Sequence, residues 1–281
     1  MKTQKLIKLA FVIFLASAVL QSCTKEDELN TDPYQPTWTV RPDFALLDDR
    51  PQDVIAKFQM TENDAKPIEL ANVKSGGRYA LVIGISDYSG TANDLTYCDD
   101  DATDWDVLLK NAGYSVTKLL DRNASKAAIE IAVNTLASLS IAGNEIALCY
   151  SGHGSKGNII STDLYYIGSK WFKTKFANST SSKMMFCFDA CQIGAMATDL
   201  NYTGRVISVA SNKTSYSYDG DKTMQNGVFT YYQMNGFETE HYIYVEPDSQ
   251  YACDQMIKWA KSYRIRVAPS YLDSYLGDFP L

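Results

Sequence analysis

Cys191 and His153 are the residues on which a covalent reaction could be built. Cys191 follows the apolar run of "MMFCFDACQIG" (184–194), with Asp189 two residues before the thiol and Gly194 closing the stretch. His153 stands in "SGHGS", directly after the apolar run "NEIALCY". A free thiol with a pKa of roughly 8.5 is only a few per cent ionised at neutral pH, so a nearby base must activate it. An imidazole supplies that base and later protonates a leaving amine. The chain holds only 2 histidines, and the other, His241, lies among carboxylates in "ETEHYIY" and reads as a surface residue. Gly152 and Gly154 flank His153. They let a substrate approach the backbone and leave amide N–H groups to face an oxyanion, whereas a plain turn histidine is the bland alternative.

The remaining thiols have quieter surroundings. Cys149 and Cys187 fall inside apolar runs, where cysteine acts as a small hydrophobe. Cys98 precedes an acidic helix start and Cys253 lies on the apolar side of a late helix. No C-x-x-C pair and no metal-type spacing with histidine occurs, which disfavours a thiol-based metal or redox protein. A disulfide or metal site using Cys187 and Cys191 would require the strand between them to bend.

Elements that could position such a pair follow from Tyr79 onward. "YALVIGI", "YSVTKLL", "NEIALCY", "SSKMMFCF" and "GRVISVAS" are short apolar runs that predict strands. Between and behind them "DDATDWDVLLKNAG", "SKAAIEIAVNTLASLS" with Ser125 as N-cap, "NGVFTYYQMNG" and "SQYACDQMIKWAKSY" predict helices. Strands buried on both faces and separated by helices imply a mostly parallel sheet in an α/β sandwich. Chemistry in such sheets gathers at the carboxyl ends of the strands, where both "SGHGS" and "DACQIG" fall.

Upstream, Lys2, Lys5 and Lys8 precede the apolar run "LAFVIFLASAVL", and the segment ends in "LQSC". A basic start and an apolar run too short to span a bilayer comfortably predict an export signal over 1–22. "LQSC" resembles a bacterial lipobox, which implies lipid attachment to Cys23, membrane association through that lipid, and an outer-membrane lipoprotein facing the periplasm or the surface. Loss of 1–22 moves the formal charge from −7 to −10, which argues against nucleic acid as a partner. Residues 23–77 read as a tether and a proline-containing N-terminal segment, leaving 78–281 as one domain expected to be a monomer. Whether the N-terminal segment covers the cleft stays open.

"YALVIGISDY", "LTYCDDDATDW", "CYSGHGS", "FDACQIG", "VASNKTSYSYD", "NGVFTYY" and "APSYLDSYLGDFPL" together resemble the caspase-like cysteine peptidases, in their metacaspase-type branch. The resemblance runs over 78–281. It implies a three-layer sandwich with a mostly parallel six-stranded sheet, a His153–Cys191 dyad, and oxyanion contacts from the backbone N–H groups of Gly154 and Cys191. The spacing of 38 residues between the dyad members is shorter than the roughly 50 of caspases, so the intervening loop is trimmed.

Asp189 stands where caspases carry a glutamine, and Asp101 matches a second acid of the metacaspase pocket. An acidic pocket repels an acidic side chain and suits arginine or lysine, so the implied reaction is endopeptidase cleavage of peptides or proteins after Arg or Lys. Helix-start acids account for Asp99 and Asp100. No cofactor is needed for this chemistry and no metal site is expected. Several relatives bind calcium, but Asp163 and Asp199 offer too few hard oxygen ligands here. The lysines at 170, 173, 175 and 183 read as a solvated basic helix, with self-processing as the competing account. A catalytically silent fold that binds peptides or a protein partner is the alternative from another functional class.

Overall fold

The computed structural model of the protein describes residues 38–62 and 75–281, so the leader, Cys23 and the tether to residue 37 lie outside the described residues. An N-terminal stretch comes first, with β1 (Thr39–Val40), α1 (Phe44–Leu47) and α2 (Gln52–Phe58). The sandwich then begins with β2 (Arg78–Gly84), α3 (Cys98–Asn111), β3 (Ser115–Leu120), α4 (Lys126–Leu139) and β4 (Glu145–Ser151). Three short strands follow, β5 (Gly154–Ser155), β6 (Asn158–Ile160) and β7 (Tyr166–Gly168), and then α5 (Ser169–Lys175). The chain continues through β8 (Lys183–Asp189), α6 (Ala195–Leu200), β9 (Arg205–Val209), β10 (Tyr218–Asp219), α7 (Val228–Glu238), α8 (Val245–Ser262) and β11 (Ser270–Asp273).

The main sheet has six strands in the order β11-β9-β8-β4-β2-β3, all parallel except the edge strand β11. Alternation along its strands decides the layering, because successive side chains point to opposite faces. Leu81, Ile83, Ile146 and Leu148 face one core with Ile129 and Val133 of α4, Trp171 and Phe172 of α5 and Leu200 of α6. Ala80, Val82, Ala147 and Cys149 face the other, with Trp105 of α3, Phe229 of α7 and Met256 of α8. This is the expected three-layer sandwich. Ser125 caps α4 as expected, its side chain accepting from the Ala128 N–H.

Two small pairings escaped the sequence. β5, β6 and β7 form a separate antiparallel sheet past the end of β4. β1 pairs antiparallel with β10, Thr39 opposite Asp219 and Val40 opposite Tyr218. The lysine segment also departs from the solvated helix expected of it. Trp171, Phe172 and Lys175 of α5 are buried, and Lys183 lies in β8 bonded to Glu145 at 2.9 Å, leaving Lys170 and Lys173 exposed. The two aromatic side chains turn the inner face of α5 into core.

Candidate active site

Strand register sets the site. Ser151, the last residue of β4, pairs with Asp189, the last residue of β8, so both strands end level and His153 and Cys191 each follow two residues later. Both side chains are buried. A methyl group added at Gly154 would lie 2.3 Å from the Cys191 carbonyl oxygen and 3.2 Å from its nitrogen. Only a glycine allows this approach, which sets the Gly154 and Cys191 backbones side by side.

The imidazole is fixed from several sides. Its Nε2 lies 2.7 Å from the Asn93 carbonyl oxygen, which can only accept, so Nε2 carries the proton and Nδ1 the lone pair. Nδ1 is buried with no hydrogen-bond partner. The His153 backbone N–H donates to the Tyr88 hydroxyl at 2.8 Å, and the Tyr150 hydroxyl donates to its carbonyl at 2.7 Å. Rings of Tyr88 and Phe44 pack on the imidazole at 4.7 and 5.2 Å between centroids. Burial lowers the imidazole pKa to about 4 and pushes the Cys191 thiol up to about 12, so in this arrangement both groups are uncharged.

A side chain from the N-terminal stretch fills the acidic pocket. Arg41 is fully buried and meets three carboxylates, each with a different nitrogen: Nε to Asp219 at 2.6 Å, Nη1 to Asp189 at 3.0 Å, Nη2 to Asp101 at 3.3 Å. Burial works against the guanidinium charge, but Asp189 and the other acids outweigh it and hold the pKa above its ordinary value. Asp189 also accepts from the Ser217 hydroxyl and from the Thr230 N–H and hydroxyl at 3.1 and 3.0 Å. Asp101 accepts from the Ser151 hydroxyl at 2.5 Å and the Gly227 N–H at 2.8 Å. Burial and the neighbouring Asp189 raise the Asp101 pKa to about 7.

The backbone of the same stretch lies across the thiol. Cys191 Sγ donates to the Arg41 carbonyl oxygen at 2.9 Å, and the Arg41 N–H donates to the Ser217 carbonyl at 3.2 Å, continuing the β1–β10 pairing. Gln192 holds the next turn through Asp43 at 2.8 Å, and Trp38 packs edge-on against Tyr218, Trp259 and Tyr263. With Arg41 and Phe44 in place the cleft is filled. The open cleft of about 830 Å³ bordered by Met60, Lys156, Gly168 and Lys213 lies elsewhere.

Arg41 thus ties Asp101, Asp189 and Cys191 together, while His153 and Cys191 follow neighbouring strand ends, with the thiol hydrogen-bonded to the Arg41 carbonyl and Nδ1 without a hydrogen-bond partner. Asp99 bonds Ser86 at 2.5 Å, Asp100 and His241 are exposed, and the five described cysteines, Cys187 and Cys191 among them, are free. Among the described residues no cluster of three or more His, Cys, Asp or Glu is arranged to hold a metal ion. Arg41 and Asp219 were not singled out from the sequence. The one available signal is a lone arginine after two β-branched residues and before a proline in "TVRPDF".

The family profile of the caspase domain matches residues 77–249. A search among curated proteins returns no match. Among solved structures the chain is similar to protein GSU0716 from Geobacter sulfurreducens, at 15% identity and a TM-score of 0.55, covering 73% of this chain and 97% of that one. That likeness concerns the fold.

Proposed function

The chain belongs to the caspase-domain family of peptidases, and from that membership we propose that it is a cysteine endopeptidase cutting after arginine or lysine, held latent by its own residues 38–44. The observation that carries this reading is Arg41, a basic side chain in the acidic pocket with its carbonyl oxygen 2.9 Å from Cys191 Sγ. Arg41 stands in for the residue preceding a cleaved bond, and Thr39 and Val40 for the strand before it.

In the reaction, the Cys191 thiol gives its proton to His153 Nδ1 and the sulfur attacks the carbonyl carbon after the basic residue. The N–H groups of Gly154 and Cys191 receive the oxyanion. Collapse breaks the C–N bond, the imidazolium protonates the departing amine, and a thioester remains. Water, deprotonated by His153, then releases the acid and restores the thiol. Nε2 keeps its proton on Asn93 throughout, which presents the lone pair of Nδ1 to the reacting groups. No cofactor enters these steps, and lipid on Cys23 would place the enzyme at a membrane face.

The test uses residues 24–281 on fluorogenic peptides ending in Arg, Lys or Asp, with the Arg41→Ala and Cys191→Ala variants alongside. Cleavage after Arg or Lys by Arg41→Ala, lost in Arg41→Ala/Cys191→Ala, is the expected result. Should none of the peptides be cut by any form, with or without calcium, the peptidase reading falls. Cutting after Asp would sink the pocket assignment alone.

A further inference from the structure

Resting on that reading of the cleft, we propose that Asp219 makes the pocket selective for arginine over lysine. The three acids are not equivalent. Asp189 and Asp101 are each served by other donors, namely Ser217 and Thr230 for the first and Ser151 and the Gly227 N–H for the second. Asp219 is buried, one of its oxygens accepts the Thr96 N–H at 3.1 Å, and the other accepts Arg41 Nε at 2.6 Å.

A lysine in the same place carries a methylene where arginine carries Nε. Its ammonium reaches the depth of the guanidinium carbon and addresses Asp189 and Asp101, while one Asp219 oxygen faces a CH₂ group with its donor gone. Leaving a buried carboxylate oxygen without its partner is the costly side of a hydrogen bond, and sites built around such a bond discriminate strongly against an analogue that lacks the donor. Arginine's fixed fork, with nitrogens aimed at three separate acids, is the shape this pocket complements.

Asp219 also fixes where the arginine must come from. It lies in β10, whose backbone pairs with Thr39, two residues before Arg41. The element that receives the substrate strand therefore carries the selecting carboxylate, and Nε meets it when the strand sits in this register. Thr39 and Val40 are exposed, so they place little demand on the side chains at those positions.

Two probes differing at one residue test this: acetyl-Trp-Thr-Val-Arg and acetyl-Trp-Thr-Val-Lys, as amides for calorimetry on Arg41→Ala/Cys191→Ala and as fluorogenic amides for cleavage by Arg41→Ala. Arginine is expected to bind more tightly and be cut with higher kcat/KM by about tenfold or more. Asp219→Asn should bring the two within about threefold, by loss on the arginine peptide with the lysine value little changed. Equal handling of both peptides with Asp219 intact overturns the proposal, as does an Asp219→Asn variant that weakens both alike. If Asp219→Asn does not fold, the comparison with Asp219 intact decides alone. Selective binding of the arginine peptide without cleavage would sink the peptidase reading and leave the selectivity standing; binding of neither peptide sinks both.

Discussion

Gly227 is the floor of the acidic pocket, and its missing side chain is what gives the pocket depth. A methyl group there would lie 2.3 Å from Arg41 Nη2 and 2.5 Å from Asp189 Oδ2. Overpacking of this kind costs about 1–3 kcal/mol, so Gly227→Ala is expected to lower kcat/KM on arginine peptides about ten- to a hundredfold in the Arg41→Ala background, with an unchanged circular dichroism spectrum. His153 supplies a second prediction, through pH. Its folded pKa of about 4 lies below the ordinary 6.5, so between these values the unfolded chain binds a proton that the folded chain does not. The stability this contributes is present above 6.5 and lost as the pH falls through 4, by up to about 3 kcal/mol. Denaturant titrations of His153→Asn should show a correspondingly shallower loss in that window; an identical slope would contradict the assignment. His153, Cys191 and Asp189 were legible in the sequence because each sits at or just past a strand end, where chemistry concentrates, whereas Asp101, in the first turn of α3, was legible only through the family resemblance of its motif. Arg41 and Asp219 were not, because 178 positions separate them and no local pattern spans that distance.

At the scale of elements, the long runs announced themselves and the short ones did not. α4 carries a period of buried positions from Ile129 to Ala137 and a cap at Ser125, whereas β1 and β10 are two residues each, too short to show any alternation. Their pairing is made by tertiary contacts alone, with Trp38 on Tyr218, Trp259 and Tyr263 at one end and Phe44 on His153 at the other. Removing Arg41 leaves three buried carboxylates facing one another without their cation, a change worth about 3–5 kcal/mol against the closed arrangement. Arg41→Ala is therefore expected to raise the iodoacetamide alkylation rate of Cys191 at pH 8 by at least about tenfold, because an uncovered thiol regains its ordinary ionisation. Trp38→Ala should do the same to a smaller degree. Mass spectrometry of the labelled Cys191 peptide measures both, and a thiol equally protected in all three proteins would refute the covering role.

For the molecule as a whole, the sandwich was readable because each central strand is buried on two faces, but one cost inside it was hidden. Asp248 on α8 is fully buried with neither carboxylate oxygen hydrogen-bonded, and burial raises its pKa well above 3.8. Its contribution to stability is whole below about pH 3.8 and is lost as the pH rises through the raised folded value. Asp248→Asn removes that dependence, so its melting temperature should gain on the unsubstituted protein more at pH 8 than at pH 4; an equal difference at both would count against a protonated Asp248. The segment across the cleft has a different kind of consequence. Because Arg41 belongs to the same chain as Cys191, its local concentration at the pocket does not change when the protein is diluted. On the proposed reading, a separate inhibitor would be lost by washing or dilution, whereas this segment stays in fixed one-to-one proportion with Cys191, and activity is expected to remain strictly linear in protein concentration.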